Sequence, residues 1–333
     1  MTVQKPTVFI VGAGAHVDYG MPTGAEIIDG LARCVEGTES SQWKDVLAHF
    51  APEAWETMPP SLSIPLGAKS YRELLRANLD QLSRRLAAST HGSIDELLGE
   101  WNELELVGRR LLACLLLLSE RNASRTVRIG GLYSWIGKVC APRLDSHGGI
   151  NQASMSSIKN VTIITFNYDR LAERYLTRIK NNTSEIYSSL PLPKIHHVYG
   201  VLSGCEDLQS SYSDYKIDER SIRGSIQSIE LIRPRLGVAQ GSIPHELLNP
   251  LMQAEQVVFV GFGFHDHNIR KLFIPSVWNG QHREIFATGY GLSERDKQRV
   301  LKALQIPIIF GGDSETCESC LRRWEPNLLG VVD

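Results

Sequence analysis

Short apolar runs that end at glycines or other turn residues recur along the chain and predict the strands of a parallel sheet. A strand buried on both faces of such a sheet reads as a continuous apolar run, without alternating polar positions. The runs are Thr7 to Val11, Val161 to Phe166, Val257 to Val260, Glu284 to Thr288 and Pro307 to Phe310, with a weaker one at Ile195 to Val201. Because helical stretches separate them, the pattern predicts an α/β fold with a doubly wound, Rossmann-like parallel sheet.

A different pattern fills the long interval between the first two runs. Apolar residues recur there every three or four positions, which is the period of amphipathic helices. We therefore predict a Rossmann-like core formed by 1–35 and 153–333, with a large helical insertion at 36–152 after the first strand and helix. The serine-rich, charged stretch 203–244 has no strand period and is predicted to be a second, irregular insertion within the core.

Composition narrows the class of protein. Of the 333 residues, 42% are apolar and 22% are charged, which are ordinary values for a globular protein. The formal net charge of −2 gives no field that attracts a phosphate backbone, so we expect no direct, sequence-specific binding of nucleic acid. The chain starts without a signal-peptide pattern, and its longest apolar run, 111–118, is too short to cross a membrane. We expect a cytoplasmic protein without membrane contact.

Cysteine spacing gives little support for a metal site. The six cysteines form no regular framework, and only Cys317 and Cys320 have a spacing typical of metal ligands. Without a second such pair, we expect no metal.

The glycines after the first strand indicate a bound phosphate. Glycine allows a tight turn and a close backbone approach, and amides at the start of a helix can hold a pyrophosphate. The ordinary dinucleotide fingerprint has a third glycine where this chain has Val17, so a plain strand-to-helix turn stays an alternative. The candidate ligand-binding residues are Gly12, Ala13, Gly14 and Ala15, followed by Pro22 and Thr23 in a defined loop that would cover the ligand.

Two polar residues, Asn167 and Asp169, follow the second strand. Side chains two positions apart in an extended chain share a face, so both can point into one cleft at the carboxyl edge of the sheet. An amide can hold a hydroxyl or a water molecule, and a carboxylate can anchor ribose hydroxyls. Alternatively, Asp169 caps a helix that starts at Arg170.

Histidines occur in one further apolar run, 195–201, and directly after another, the run that ends at Val260. If 195–201 is a strand, His197 and Tyr199 share a face beside Gly200, and His196 faces the other way.

The run that ends at Val260 continues into Gly261 and Gly263, and then into His265, Asp266 and His267. A metal site built from the two histidines is one interpretation, and the start of a helix at Asp266 is the other.

Taken together, these segments resemble the sirtuin-like, NAD-hydrolysing domains of bacterial anti-phage defence proteins. The stretches that carry the resemblance are Gly12 to Gly14, Gly20 to Gly24, Thr165 to Asp169, His197 to Gly200 and Gly261 to Asp266. They occur in the order typical of that family. The resemblance implies a Rossmann-like sheet that binds NAD as a substrate, without a metal.

The resemblance also implies residue roles. Asn167 is the expected catalytic amide, and a histidine is expected to complete the site. In the family that histidine stands directly before the glycine, where this chain has Tyr199, so we assign the catalytic role to His197. The residues expected to bind NAD are Gly12, Ala13, Gly14, Ala15, Pro22, Thr23, Asp169, Tyr199, Gly200, Gly261, Gly263 and Asp266.

Two other departures from the family bear on function. His16 stands where the family usually has a small hydroxyl residue. The four-cysteine zinc module of protein-deacylating sirtuins is lacking, which disfavours deacylation.

The function expected from the sequence is hydrolysis of NAD to ADP-ribose and nicotinamide, depleting NAD in anti-phage defence. One alternative is a non-catalytic module that senses NAD or ADP-ribose, and a further one is a nicotinamide-dependent oxidoreductase. The resemblance implies that the chain forms a homo-oligomer or a complex with a helicase-like or Argonaute-like defence protein.

Overall fold

The computed structural model describes residues 3–36, 78, 81–82, 84–86, 88, 94–101, 104–125, 132–140, 158–182, 192–203, 217–231, 245–272, 275–278 and 283–329. Its strands are β1 (Thr7–Val11), β2 (Val161–Thr165), β3 (Lys194–His197), β4 (Gln256–Val260), β5 (Glu284–Ala287) and β6 (Ile309–Phe310). Its helices are α1 (Gly24–Glu36), α2 (Ile94–Glu100), α3 (Glu105–Arg125), α4 (Leu132–Cys140), α5 (Leu171–Asn182), α6 (Glu219–Ser228), α7 (His245–Gln253), α8 (Asp266–Leu272), α9 (Pro275–Trp278), α10 (Glu294–Leu304) and α11 (Cys317–Leu329). A 3-10 helix, Ala13–Tyr19, follows β1.

The strands form one sheet in the order β3-β2-β1-β4-β5-β6, and every pairing is parallel. This is the strand order of a doubly wound Rossmann-like sheet, so the predicted fold class is confirmed. The order reverses direction at β1, whose neighbours are β2 and β4. In open α/β sheets, ligands bind beyond the carboxyl ends of the strands at such a point.

Apolar runs predict the central strands because burial on both faces leaves no polar alternation to read. Every residue of β1, β2 and β4 is buried. The edge strand β3 is only partly buried, and its residues include the polar Lys194 and the two histidines. This lower apolar content explains why its run was the weakest of the six.

The prediction that the strand at β3 extends to Val201 is wrong. After His197 the amide of Val198 still donates a hydrogen bond to the Thr165 carbonyl, at 2.9 Å, but the chain then bends and Gly200 adopts a φ of +82°. A side chain at Gly200 would also collide with the Ser228 carbonyl oxygen, 1.8 Å from an added Cβ. Because β3 ends at His197, Tyr199 is not part of the strand. The prediction that His197 and Tyr199 share a strand face therefore does not apply.

The chain divides into two compact units. One contains Met1–Tyr19, Thr126–Val198 and Val238–Asp333, and includes the whole sheet. In this unit α4 packs against α5 and α11, and the Phe9 ring on β1 meets Trp135 of α4 edge-on at 6.0 Å. The other unit contains Gly20–Arg125 and Tyr199–Gly237.

Helix–helix packing organises the second unit. Helix α3 packs against α2 and α6, and α1 packs against α2. Arg109 on α3 donates hydrogen bonds to the carbonyls of Ile226 and Ile229, at 3.0 and 2.7 Å, at the carboxyl end of α6. A cation there satisfies helix-end carbonyls and opposes the negative end of the helix dipole. The insertion boundaries drawn from the sequence, 36–152 for the helical insertion and 203–244 for the irregular one, stay a prediction.

The turns after β1 and β4 lie in direct backbone contact. A Cβ added at Gly12 would lie 2.6 Å from the Gly261 carbonyl oxygen, and one added at Gly14 would lie 2.9 Å from the same atom. Gly261 itself has a φ of +57°, and its added Cβ would lie 1.8 Å from the Ala15 nitrogen. Only glycine fits at these positions, so the glycines are required by the fold whatever else they contact.

We expect Gly261→Ala to destabilise the sheet unit by about 3 kcal/mol or more, since it adds both left-handed backbone strain and a backbone collision. The matched control is Gly291→Ala, where φ is +73° but an added Cβ meets no described atom within 4 Å. That change should cost about 1 kcal/mol. Urea unfolding of both variants measures the difference, and equal losses would contradict the close-approach explanation.

Candidate functional site

The site begins where β1, β2 and β4 end at the same level of the sheet. Val11 on β1 is in register with Thr165 on β2 and with Val260 on β4, and Thr165 is in register with His197 on β3. The segments after these strands therefore emerge side by side at the carboxyl edge. The polar contacts of this site lie within the compact unit that contains the sheet.

The glycine-rich turn after β1 uses its amides within the protein. The Gly12 amide donates to the Val260 carbonyl, the Gly14 amide to the Gly261 carbonyl and the Ala15 amide to the Gly12 carbonyl, each at 3.0 Å. In this arrangement these three N–H groups are not offered to a pyrophosphate. The turn leads into a 3-10 helix, in place of the α-helix on which the phosphate argument rested.

His16, within that 3-10 helix, lies at the centre of a buried polar cluster. It is 1% exposed, and its Nδ1 lies 2.9 Å from Oδ2 of Asp169 and 2.9 Å from Nδ2 of Asn167. Its Nε2 makes a hydrogen bond with the hydroxyl of Tyr133 on α4. The rings of Tyr19 and Tyr133 meet the imidazole edge-on, with centroids 6.2 and 5.4 Å away.

The structure brings Asn167 and Asp169 together, as their spacing predicted. Asn167 is 8% exposed, and its side-chain amide donates to the Gly12 carbonyl at 3.2 Å. Asp169 is 4% exposed, and its Oδ1 accepts the Leu171 amide at 3.1 Å at the start of α5. Asp169 therefore caps the helix and also faces the cluster, and its predicted role toward ribose hydroxyls stays a prediction. Burial alone would raise the pKa of Asp169, but His16, the Leu171 amide and His197 together hold that pKa below its ordinary value.

His197 joins the same cluster through Asn167, and both of its ring nitrogens face acceptors. Nδ1 lies 2.9 Å from the backbone oxygen of Asn167, and Nε2 lies 2.8 Å from Oε1 of Glu173 on α5. Burial lowers the pKa of His197, but the Glu173 carboxylate and the Asn167 carbonyl outweigh it and raise that pKa above its usual value. A histidine that donates from both nitrogens has no lone pair for a substrate proton. The catalytic role that the sequence assigned to His197 stays a prediction.

In the pair formed by His197 and Glu173, the Glu173 carboxylate has an oxygen that no described residue engages. Its Oε2 is buried and has no hydrogen-bond partner in the described part of the chain. Native proteins rarely leave a buried carboxylate oxygen unpaired, so this atom calls for a donor from a ligand or a water molecule.

The segment after β4 is built from aromatic packing. Phe264 is fully buried with a φ of +50°, which is uncommon for a residue other than glycine, and its ring lies 5.1 Å from those of Phe259 and Phe262. Gly261 lies at the base of this segment, where its amide donates to the Thr288 hydroxyl at 2.8 Å. Gly263 is exposed, and an added Cβ there would lie 2.9 Å from the His265 ring.

The predicted helix start at Asp266 agrees with the structure, where α8 begins at that residue. Asp266 is exposed and pairs with Arg299 at 3.4 Å. The rings of His265 and His267 stack 5.7 Å apart, and burial together with His265 lowers the pKa of His267 to about 4. Among the described residues, no group of three or more His, Cys, Asp or Glu side chains is arranged to hold a metal ion.

Four of the predicted ligand-binding residues belong to the second compact unit, which contains Gly20–Arg125 and Tyr199–Gly237. Thr23 caps α1: its hydroxyl accepts the Glu26 amide at 3.3 Å, and the Glu26 carboxylate accepts the Thr23 amide at 2.7 Å. Pro22 directly precedes this cap. Tyr199 is buried, and its carbonyl accepts the Glu230 amide at 2.9 Å; Gly200 follows it in the bend described above. Their predicted roles toward a ligand stay predictions.

A separate cavity of about 450 Å³ lies at the amino ends of the strands. It is lined by Thr162, Lys194 and His196 from the sheet and by Glu246, Asn249 and Gln253 from α7. His196 thus faces away from the cluster that holds His197, as neighbouring residues of a strand do. This cavity is remote from Asn167, which lies at the opposite end of β2.

Comparison with known proteins adds one match. A family model described as a SIR2-like domain matches residues 161–309, which is somewhat less than half of the chain. The match supports a sirtuin-like domain. SIR2-like domains bind NAD and are generally NAD-dependent enzymes, so it also supports NAD-related activity. No curated protein matches the chain.

The matched residues contain Asn167, Asp169, His197 and Glu173, while the turn at Gly12 to Gly14 and His16 lie outside them. Over the described residues, the structure has no helix that is long and apolar enough to pass through a bilayer.

Sequence reasoning missed three members of the cluster. His16 had a signal, because it replaces a small residue in a recognised segment. Glu173 lies two residues into the helix that Asp169 caps, a position where acids are common for the helix dipole alone, so its contact with His197 had no distinct signal. Tyr133 had none, since it lies in a helical stretch assigned to the insertion.

The contact between His197 and Glu173 should make stability depend on pH. Because the folded-state pKa of His197 is raised, its contribution to stability is complete below about pH 6.5 and is lost as pH rises through the folded-state value. We expect Glu173→Gln and His197→Gln each to flatten this part of the profile, and the double variant to add little more. Urea unfolding between about pH 5.5 and 9 measures it. A wild-type protein whose stability stays flat over this range would contradict the ion pair.

Proposed function

We propose that the protein is an NAD hydrolase that cleaves the bond between nicotinamide and ribose, giving ADP-ribose and nicotinamide. The observation that carries the proposal is the cluster of Asn167, Asp169, His197 and Glu173 at the carboxyl edge of the sheet, in the part of the chain that the SIR2-like family model matches. A sirtuin-like domain supports NAD as the ligand, and the cluster supplies groups that suit glycosidic cleavage.

The reaction balances with water as the only co-reactant. The bond between the ribose carbon and the nicotinamide nitrogen breaks, and the ring takes the electron pair and leaves neutral. Water adds to the cation-like sugar carbon and gives up one proton. The protein must orient this water and accept that proton.

The cluster offers a group for each task. The Asn167 amide can orient the water or a ribose hydroxyl, for which it must exchange its hydrogen bond to the Gly12 carbonyl. The Asp169 oxygens keep lone pairs that can accept ribose hydroxyls. In the pair formed by His197 and Glu173, the acceptor left open is Oε2 of Glu173, so the proton goes to this carboxylate while Nε2 of His197 holds Oε1 in place.

The second candidate function is an NAD or ADP-ribose sensor without catalysis. It is favoured by Tyr199, which stands where the resembling family has its catalytic histidine, and by the lack of a free nitrogen on His197. A sensor binds NAD and releases no nicotinamide.

The proposed setting is prokaryotic anti-phage defence, with the chain acting as a homo-oligomer or with a helicase-like or Argonaute-like partner. Only the sequence resemblance supports this setting. Because unregulated NAD hydrolysis would harm a cell, activity is expected to depend on a trigger supplied by that partner.

The first test is nicotinamide release from NAD, measured by chromatography with the protein alone and with its genomic neighbours during phage infection. Asn167→Ala should lower turnover by about 10²-fold or more, because it removes the amide that orients the nucleophile. Asn160→Ala is the matched control: Asn160 directly precedes the amino end of β2, where its side chain bonds the Val3 and Gln4 carbonyls, and its loss should leave turnover in place. Tight NAD binding without release under every condition would favour the sensor.

The second test separates the two members of the proton-accepting pair. Glu173→Gln should lower kcat by about 10²–10⁴-fold, the usual range for loss of a general base. His197→Gln can still donate toward Glu173 and should cost about tenfold. Tyr199→Phe should keep much of the activity. If His197→Gln is inactive while Glu173→Gln turns over, His197 is the acceptor, as the sequence alone predicted.

A further inference from the structure

His16 is the most buried member of the cluster, and the proposed reaction gives it no step. It is 1% exposed, and three polar side chains point at its two ring nitrogens: Asn167 and Asp169 from the segment between β2 and α5, and Tyr133 from α4. Burying so many polar groups around one ring is costly unless each finds a partner.

The two neighbours of Nδ1 compete for it. Asp169 and Asn167 both lie 2.9 Å away, and one ring nitrogen can either donate or accept. An ionised carboxylate only accepts, so the proton sits on Nδ1 and is donated to Asp169. The Asn167 amide, itself a donor, then makes no hydrogen bond with Nδ1–H and has the Gly12 carbonyl as its acceptor, at 3.2 Å. Asn167 is therefore held more weakly than Asp169 and can exchange partners.

The other side of the ring fixes its orientation. In a neutral imidazole with the proton on Nδ1, Nε2 accepts the hydroxyl hydrogen of Tyr133. The backbone amide of Tyr133 in turn donates to the hydroxyl of Tyr19 at 3.1 Å. Flipping the ring would lose both of its hydrogen bonds inside the core, so the imidazole has a single favourable placement.

Asp169 depends on this arrangement for its charge. Burial favours the protonated carboxyl, and the groups that oppose burial are His16, the Leu171 amide and, at longer range, His197. Tyr133 also faces the carboxylate, which raises the pKa of the Tyr133 phenol together with burial. Of these groups, only His16 donates a side-chain hydrogen bond to Asp169.

We propose that His16 is a positioning residue of the NAD site, whose Nδ1–H keeps Asp169 ionised and turned toward Asn167 so that the carboxylate can receive ribose hydroxyls. The role toward ribose rests on the proposed function, whereas the effect on Asp169 does not. A small hydroxyl residue at position 16 could not reach both Asp169 and Tyr133 at once, so the chain has replaced a small contact with a fixed ring.

The experiment compares two amides that imitate opposite sides of the ring. His16→Asn places an N–H close to the position of Nδ1, and His16→Gln places it close to that of Nε2. His16→Leu removes both polar atoms, and Tyr133→Phe removes only the partner of Nε2. Thermal unfolding first establishes which variants are folded; if His16→Leu is not, the Asn and Gln pair carries the comparison.

The first readout is the pH titration of the Asp169 carboxyl, which NMR monitors in protein labelled with ¹³C at its aspartate carboxyls. The Asp169→Asn variant lacks the Asp169 signal and so identifies it. Wild type, His16→Asn and Tyr133→Phe should titrate at low pH. His16→Gln and His16→Leu should titrate about one pH unit or more higher, because burial is no longer opposed. The same titration in wild type, His16→Gln and His16→Leu would overturn the proposal.

The second readout is the pH profile of kcat/KM for NAD. A raised pKa leaves Asp169 protonated up to a higher pH. The low-pH side of the profile, where activity falls, should therefore shift to higher pH in His16→Gln and His16→Leu and stay in place in His16→Asn. If the wild-type protein releases no nicotinamide while the Asp169 titration shifts as expected, the hold of His16 on Asp169 stands and NAD hydrolysis fails. A low-pH side of the profile that is identical in all His16 variants of an active enzyme would overturn the positioning role.

Discussion

Val11 lies in the sheet between Thr165 and Val260, and the chain leaves all three strands at the same level. Parallel pairing in this register fixes where the following segments start, and the tight contact between the turns after β1 and β4 fixes how they proceed. Gly261 leaves no room for a side chain beside the Ala15 nitrogen, so these two turns form one backbone unit. The two turns and the ends of β1 and β2 place His16, Asn167 and Asp169, whereas β3, α4 and α5 supply their partners His197, Tyr133 and Glu173.

The interior of the site is a network of polar side chains that are joined by hydrogen bonds. Each of its two imidazoles has both nitrogens engaged: His16 between Asp169 and Tyr133, and His197 between the Asn167 carbonyl and Glu173. In a buried setting this satisfies polar groups that would otherwise be costly. In the proposed reaction, the nucleophile is therefore oriented and deprotonated by the groups that have spare hydrogen-bonding capacity. Those groups are the carboxylate of Glu173 and the side-chain amide of Asn167.

This arrangement changes the meaning of the glycine-rich turn. Such a turn after the first strand of an α/β sheet is usually interpreted as a phosphate site because its amides are open. Here the amides of Gly12, Gly14 and Ala15 are committed to backbone carbonyls. The close approach of the turn after β4 explains the glycines without a ligand.

The sequence by itself determined the sheet and the chain positions from which the site is built. Continuous apolar runs identify strands that are buried on both faces, and the two-residue spacing of Asn167 and Asp169 after β2 places both at the carboxyl edge. Only the tertiary structure decided which partners these residues have. The contact of His16 with Asp169 joins residues 153 positions apart, and no local pattern encodes such a distance. The structure likewise ends β3 at His197, and the bend at Gly200 leaves no room for a side chain beside the Ser228 carbonyl. Periodicity reports which face of an element is buried, whereas proton acceptors and donors are paired by packing between elements, and that information exists only once the chain has folded.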